Sequence, residues 1–218
     1  MKNLVRFYFV IFVMALLFSC SSDEKGTIKD EAKSPAVENE EVQTSTKIDN
    51  KQYKIESGYV KYQSKAAGQD LIREVWFDDY GAKQYEENYM IFGDTKSGGK
   101  ILIADGSMYS WNIGGNEGTK SVHRVSRATD FINLSKQTIE RYGIVEVGKE
   151  SIAGKTCSKF TTEKPMKSTV WIWEGIAMKT IAKSAGMEIT SEAVEINTTK
   201  PDPNMFKIPD DVKFQENK

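Results

Sequence analysis

The residue types that perform catalysis are scarce in this chain. His123 is the only histidine, so we do not expect a Ser-His or Cys-His catalytic site or a metal site built from histidines. Asp78-Asp79 and Glu86-Glu87 suggest the acidic pair of a glycosidase, but adjacent residues of a strand point to opposite faces. We therefore expect solvated charges there, and we predict no catalytic residue, no metal site, no cofactor and no enzymatic activity.

Cys20 is the residue with a clear chemical role, because it is the predicted site of lipid attachment. Two basic residues precede an uncharged apolar run over residues 7 to 18, and the small residue Ser19 stands directly before the cysteine. The run is shorter than the ~20 residues that span a bilayer, so it is typical of an export signal with a lipobox. Residues 1 to 19 are predicted to be a lipoprotein signal peptide; a buried or disulfide-bonded Cys20 is the alternative.

Cleavage before Cys20 would leave the mature chain anchored to a membrane through acyl chains, and anchoring by two or more chains is stable. Residues 21 to 24 read Ser-Ser-Asp-Glu. This stretch is similar to the acidic signal with which some Gram-negative bacteria send lipoproteins to the outer face of the outer membrane. We expect a lipid-anchored outer-membrane protein, on the periplasmic side or, as we favour, at the cell surface.

Residues 20 to 52 are predicted to be the lipidated cysteine and a disordered acidic tether. Residues 21 to 52 hold eight acidic residues against five lysines and no aromatic residue, a composition that cannot bury enough apolar surface to fold. As a flexible coil this segment would span roughly 30 Å. Residues 53 to 218 hold 23 acidic and 23 basic residues, so the domain lacks the excess of positive charge that is typical of nucleic-acid binding.

After residue 53, short aromatic and β-branched runs alternate with glycine-containing turns, which is typical of antiparallel strands. Asp105-Gly106 is the strongest hairpin signal, because both positions of such a turn tolerate positive φ. A last edge strand is expected around Val212 and Phe214. Ten or eleven strands are predicted in all, the principal ones at residues 58–64, 71–78, 82–90, 100–104, 107–113, 145–148, 156–162, 169–174, 176–182 and 187–197.

Two glycine-rich stretches, residues 93–99 and 114–118, are predicted to be loops. One short helix is predicted, with Ser135 as its N-cap and Gly143 at its C-terminal end. Cys157 has no cysteine partner once Cys20 is lipidated, so we predict a free thiol buried in a strand.

The run Val170-Trp171-Ile172-Trp173 bears on the architecture, because alternation leaves both faces of this strand apolar. Such a strand must be covered on both sides. A single sheet achieves this by curving into a barrel or half-barrel. A flat two-sheet sandwich is the alternative, although its outer faces should then be polar.

Four stretches act as landmarks of a known fold: residues 74–81 (EVWFDDYG), 104–111 (ADGSMYSW), 142–157 (YGIVEVGKESIAGKTC) and 170–179 (VWIWEGIAMK). Their order resembles that in the periplasmic lipoprotein carrier LolA, its outer-membrane receptor LolB and related small lipoproteins. The resemblance covers most of residues 55 to 214. For residues 53 to 218 it implies a mainly β domain, a single curved antiparallel sheet of about eleven strands forming a half-barrel with one or a few short helices, whose concave side takes acyl chains.

The candidate ligand-binding residues are Trp76, Trp111, Trp171 and Trp173, although tryptophans more often belong to a core than to a ligand platform. Our first hypothesis is a membrane-anchored protein that binds a lipid or an acyl chain in an apolar cavity. The alternative is an outer-membrane or surface interaction module with a filled core, and an enzyme ranks third. The expected partners are the membrane, through Cys20, and the lipid ligand; no nucleic acid is expected, and the oligomeric state is left open.

Overall fold

The structure is a computed structural model of the chain, and it describes residues 51–66, 68–123, 134–184 and 187–216. The predicted signal peptide, Cys20 and the tether up to residue 50 lie outside the described residues. The described part of the chain forms twelve strands, one α-helix and two 3₁₀ turns. None of its helices is long and apolar enough to cross a membrane.

The described residues form one domain. The helix is α1 (Lys136–Tyr142), and the 3₁₀ turns are Asp79–Gly81 and Pro203–Phe206. The strands are β1 (Gly58–Ala66), β2 (Gln69–Asp78), β3 (Lys83–Phe92), β4 (Thr95–Ala104), β5 (Ser107–Asn112), β6 (Glu117–Val122), β7 (Val145–Ile152), β8 (Lys155–Thr162), β9 (Lys167–Trp173), β10 (Ile176–Ser184), β11 (Met187–Asn197) and β12 (Lys213–Glu216).

All twelve strands belong to one sheet, in the order β12-β6-β5-β4-β3-β2-β1-β11-β10-β9-β8-β7. Neighbouring strands are antiparallel except β12 and β6, which are parallel. The sheet is open, with β12 and β7 at its edges, and it is curved, since β7 comes close to β11 although three strands separate them in the order. The prediction of a single curved, mainly antiparallel sheet is confirmed.

Alternation along the strands gives the β1–β4 part of the sheet two distinct faces. One face carries Val60, Val75 and Phe77, each at most 3% exposed, and we call it the core face. The other carries Trp76 and Tyr85, which are opposite each other on β2 and β3, and we call it the aromatic face. The main apolar cluster comprises Tyr53, Val60, Tyr62, Val75, Phe77, Ile152, Cys157, Trp171, Ile176, Met178 and Ala193.

Strand β9 is covered on both sides, as its sequence predicts. Val170 and Ile172 pack with Phe160 in one cluster, whereas Trp171 belongs to the main cluster with Cys157. Val170, Trp171 and Ile172 are all buried. On the Val170 and Ile172 side, Ile144, which follows α1, packs against the cluster.

The predicted loops at residues 93–99 and 114–118 are wrong in part, because β4 begins at Thr95 and β6 at Glu117. Their glycines are where two strands approach each other closely. A Cβ atom on Gly98 would lie 2.7 Å from the Tyr89 Cα, and one on Gly118 would lie 2.7 Å from the Phe214 ring. Glycine inside a strand can mark such a close approach as well as a turn, and the additional strand β6 raises the number to twelve.

The predicted turn and helix ends are confirmed. Asp105 and Gly106 adopt φ values of 50° and 70° between β4 and β5. The Ser135 side chain accepts a hydrogen bond from the Thr138 N–H at the start of α1. Gly143 ends the helix in the left-handed region at φ 62°, where glycine has no Cβ penalty.

Glu86 is buried on the core face, so the prediction of a solvated charge at this position is wrong. Arg73 donates two hydrogen bonds to its carboxylate, from Nε at 2.7 Å and from Nη2 at 3.0 Å. Gln84 also donates to Glu86, and Tyr53 donates to Gln84 at 2.8 Å. Burial by itself would raise the pKa of Glu86, but the charge and hydrogen bonds of Arg73, with those of Asn88 and Gln84, hold it below its ordinary value.

Asp78 is also buried, so the prediction of a solvated charge is wrong at this position too. It is 8% exposed, and its Oδ2 lies 3.3 Å from the Lys200 ammonium group. Asp79, in the turn, is exposed as expected. Glu86 and Asp78 can be buried because they pair with Arg73 and Lys200, which are not their neighbours in the sequence. The pattern of adjacent carboxylates therefore gives no indication of burial.

The Arg73–Glu86 pair predicts an acid-sensitive component of stability. Glu86→Gln should lower the unfolding free energy by about 3 kcal/mol, the lower end of the cost of breaking a buried pair, because the Arg73 side chain is 37% exposed. Since the folded pKa of Glu86 is depressed, its contribution is present above the unfolded value of about 4.3 and is lost as the pH falls through the folded value. Urea unfolding between pH 7 and pH 3 measures this.

The matched control is Glu188→Gln, whose pair with Lys183 is exposed on both sides and should contribute less than about 1 kcal/mol. The difference in unfolding free energy between wild type and Glu86→Gln should shrink at low pH. A difference that is independent of pH would contradict the assigned role of the ionised carboxylate.

Cys157 should react slowly in the native protein. Its side chain is fully buried, and Sγ donates to the Lys155 carbonyl at 3.3 Å. Burial also raises the pKa of the thiol, which lowers the reactive thiolate fraction. In a chain with Cys20→Ala, one thiol should be labelled rapidly in guanidinium and at least ~100-fold more slowly in buffer. Rapid native labelling, or a dimer that disappears on reduction, would contradict this.

Candidate ligand-binding cleft

A continuous row of aromatic side chains crosses the aromatic face. It runs from Tyr59 on β1 through Trp76, Tyr85 and Trp111 to Phe214 on β12, with successive ring centroids 5.0, 5.7, 6.3 and 5.7 Å apart. The rings are tilted or edge-to-face, which are favourable aromatic arrangements. Five strands, three of them consecutive in the chain, therefore contribute to one apolar surface.

Strand register explains why these rings meet. The turn at Asp79–Gly81 joins β2 to β3 so that Tyr85 lies opposite Trp76, and Tyr59 of β1 lies opposite Trp76 on its other side. Trp111 on β5 lies opposite Lys100 on β4. Side chains directly opposite each other share one face of a sheet, so the register aligns Tyr59, Trp76 and Tyr85. Trp111 meets Tyr85 diagonally, because Tyr85 itself lies opposite Leu102.

The middle of this row forms the floor of an open cleft of about 630 Å³. Trp76, Tyr85 and Trp111 are its aromatic residues, and Glu87 and Lys100 complete the part of the lining that comes from the sheet, which we call the sheet wall. The opposite side is the C-terminal wall, and the turn after β5 lines one end. The C-terminal wall consists of Met205, Lys207, Pro209, Asp211 and Val212, and the turn contributes Gly114, Gly115 and Asn116.

The C-terminal wall is held against the sheet by two apolar contacts. Phe206, in the 3₁₀ turn, is buried in a cluster with Leu102, Ala104 and Tyr109. Beyond the wall, Phe214 packs edge-on against Trp111 and Tyr109. The parallel pairing of β12 with β6 then fixes the end of the segment.

A ridge of ionised groups runs beside the aromatic floor. Glu87 accepts a hydrogen bond from the Tyr85 hydroxyl at 2.9 Å and pairs with Lys100 at 3.3 Å and Lys96 at 3.6 Å. The Glu87 side chain is only 17% exposed. Burial, together with the hydrogen bond to Glu87, raises the pKa of Tyr85, so its hydroxyl keeps its proton and acts as a donor at neutral pH.

Glu74, on β2, continues the ridge opposite Glu87. It accepts hydrogen bonds from the Tyr59 and Tyr89 hydroxyls, both at 2.7 Å. Lys96 lies 3.9 Å from Glu74 and so bridges the two carboxylates. Burial opposes ionisation of Glu74, but these hydrogen bonds and the nearby lysines outweigh it and lower its pKa. The charged groups of the ridge are therefore paired with one another.

The structure brings two of the four candidate tryptophans together. Trp76 and Trp111 line the cleft. Trp171 is 4% exposed, and its indole N–H donates to Glu150 at 2.8 Å, so it serves the core at the other end of the sheet. Trp173 lies beneath Lys155 and lines a separate pocket of about 150 Å³.

Sequence reasoning missed Tyr85, Glu87 and Lys100 as site residues. Tyr85 and Glu87 could have been found by pairing β3 with β2 across the turn at Asp79–Gly81, which places them opposite Trp76 and Glu74. No such local signal exists for the C-terminal wall, because a long-range contact positions it. Cys20 lies outside the described residues.

Metal chemistry and acid–base chemistry have little support in the cleft. The described residues contain no group of three His, Cys, Asp or Glu side chains that could hold a metal ion. Among them, those that line the cleft include two carboxylates and two lysines but no histidine, cysteine, serine or threonine. The arrangement suits the binding of a ligand with one apolar side and one polar side.

Comparisons with known proteins agree on the fold. No family model matches the chain, and no curated protein matches it in sequence. An uncharacterized conserved protein from Thermus thermophilus has a TM-score of 0.52 and 11% identity over 74% of this chain and 91% of that chain. The MucA/MucB complex of Pseudomonas aeruginosa has a TM-score of 0.51 and 12% identity over 75% of this chain and 59% of that chain.

A crystal structure of MucB matches with a TM-score of 0.47 and 11% identity over 73% of this chain and 60% of that chain. The chain thus spans about three fifths of the MucB chains that it matches. At such low identity the two matches with TM-scores above 0.5 show the fold alone. They confirm the resemblance that the sequence predicts: the domain has a LolA-like curved sheet.

Proposed function

We propose that this protein is a lipid-anchored binding module of the cell envelope whose cleft holds a hydrophobic ligand, a lipid or an acyl chain. The observation that carries the proposal is the open cleft floored by Trp76, Tyr85 and Trp111. Its volume of about 630 Å³ lies within the roughly 300–1,000 Å³ of typical ligand pockets. One acyl chain fits this space, with its polar end at the ionised ridge.

The expected affinity is modest because the cleft is open. A sixteen-carbon chain that buries about ten methylenes gains about 8 kcal/mol. Association costs at least several kcal/mol in lost freedom. The net affinity suits exchange of a ligand between partners better than its storage.

Binding without catalysis is favoured by the state of the polar groups. Glu87 and Lys100, the ionised groups on the sheet wall, are paired with each other, and the described lining residues supply no serine, threonine or cysteine nucleophile. A general acid or base needs a shifted pKa and free access to a proton of the substrate. Together these features favour a role in which the cleft orients a ligand.

A protein-interaction module is the second candidate, and exposed apolar side chains support it. Ile91 and Phe92 are 56% and 51% exposed at the end of β3. Val145 and Val147 are 55% and 50% exposed on the edge strand β7. Apolar side chains exposed at a strand end and along a sheet edge can form part of an interaction surface.

We also propose the location that the sequence predicts. Lipid on Cys20 would anchor the chain in the outer membrane, with the cell surface favoured over the periplasmic side. The segment predicted to be a tether would join Cys20 to the domain.

The ligand proposal predicts a tryptophan response to fatty acid. Palmitate should shift the emission of the full-length Cys20→Ala chain, which is kept soluble by a neutral amphipathic polymer in place of a single-chain detergent. Trp111→Ala should weaken binding about tenfold, because it removes about 1.4 kcal/mol of apolar contact. Trp173→Ala, outside the cleft, is the control and should bind like the parent chain. Equal binding by all three chains would contradict the assignment of the cleft.

The anchor proposal predicts that Cys20 is the sole site of acylation. Cys20→Ala should abolish labelling of the chain by radioactive palmitate in cells and should leave the signal peptide uncleaved. Cys157→Ala is the control and should be labelled normally. If fatty-acid labelling survives in Cys20→Ala, the proposed anchor is wrong.

A further inference from the structure

The cleft carries balanced charge on both of its walls. Glu87 and Lys100 lie on the sheet wall, and Asp211 and Lys207 lie on the C-terminal wall. Each wall thus presents one carboxylate and one ammonium group, and the four charges sum to zero. A ligand with a net charge of either sign would meet repulsion as well as attraction at both walls.

The pair on the sheet wall has capacity for further polar contacts. The Lys100 and Glu87 side chains are 28% and 17% exposed while they remain 3.3 Å apart. An ammonium group has three N–H donors, and each carboxylate oxygen accepts two hydrogen bonds. A ligand dipole that lies antiparallel to this pair can therefore contact both residues without breaking the pair.

The charges of the lining favour a ligand with no net charge, and the aromatic floor in addition favours a ligand that carries an ammonium group. A ligand ammonium group beside the faces of Trp76 or Tyr85 would be stabilised by the ring quadrupoles. The protein already uses this interaction, since the Lys100 ammonium lies 6.0 Å from the Tyr85 ring centroid. Glu87, next to Tyr85 on the same strand face, would balance the ammonium charge.

We propose that the ligand is a zwitterionic amphiphile with one acyl chain, whose headgroup carries an ammonium and a phosphate, as phosphoethanolamine does. This inference rests on the proposed function and names the headgroup for the same cleft. The ammonium lies towards Glu87 and the aromatic floor, and the phosphate lies towards Lys100 and Lys207. The acyl chain follows the apolar floor.

The test compares ligands that share one acyl chain and differ only in the headgroup. Tryptophan emission of the full-length Cys20→Ala chain, kept soluble by the same neutral amphipathic polymer, is titrated with palmitoyl lysophosphatidylethanolamine, palmitoyl lysophosphatidylglycerol and monopalmitoylglycerol. Free phosphoethanolamine is titrated as a separate arm. The zwitterionic lipid should bind about fivefold more tightly than the anionic and neutral ones, the size of one partly exposed charge interaction. Free phosphoethanolamine should not bind measurably, because it has no chain to bury.

Charge variants should shift the headgroup preference in opposite directions. Glu87→Gln leaves the lining with a net positive charge, so the anionic lipid should become the tightest ligand. Lys207→Gln leaves a net negative charge, and the anionic lipid should bind even more weakly than to the parent chain. Lys207 is exposed, so this variant should fold normally. Glu195→Gln, on an exposed part of β11, makes the same charge change as Glu87→Gln outside the cleft and should leave the preference unaltered.

The outcomes separate the two proposals. If none of the three lipids binds, the proposed function fails. If all three bind equally, or if Glu87→Gln and Glu195→Gln have the same effect, the lipid proposal stands and the headgroup inference is overturned. Binding of free phosphoethanolamine as tightly as the lipid would overturn the inference as well, because the chain would then contribute nothing.

Discussion

The register of the β2–β3 hairpin is the constraint on which most of this structure depends. The turn between these strands places Asp79, Tyr80 and Gly81 at φ values of 52°, 56° and 90°, a left-handed sequence that costs energy for non-glycine residues. Backbone hydrogen bonds support it, since the Tyr80 carbonyl accepts from the N–H groups of Gln52 and Tyr53. A slip of one residue would exchange the two faces of the strand.

That register separates two kinds of chemistry on the same strands. Arg73, Val75 and Phe77 point to the core face, whereas Glu74 and Trp76 point to the aromatic face. The core face buries a salt bridge within an apolar cluster, and the aromatic face carries the cleft and its ionised ridge. Each face is therefore internally consistent, because apolar groups have apolar neighbours and charged groups have partners.

Contacts within the protein hold both walls of the cleft in place. Tyrosine hydroxyls and lysines hold Glu74 and Glu87 in place, and Phe206 and Phe214 fix the opposite wall. Preorganisation reduces the entropy lost on binding. The fold by itself does not decide what is bound, since similar folds serve different functions; the decisive information lies in the side chains of the cleft.

The sequence by itself determined most of the strands, the tight turn at Asp105–Gly106, the caps of α1 and the two-sided burial of β9, because these depend on local backbone preference and on alternation. The local prediction was wrong at two glycines. Gly98 and Gly118 suggested loops, but each lies in a strand, at a place where a residue of another strand comes close.

Only the tertiary structure decided which tryptophans share a site. Trp76 and Trp111 meet through cross-strand register and the C-terminal wall, while Trp171 is held at the other end of the curved sheet by Glu150. Contacts between residues far apart in the chain depend on the order of the strands in the sheet, and alternation within one strand does not specify which distant strands meet.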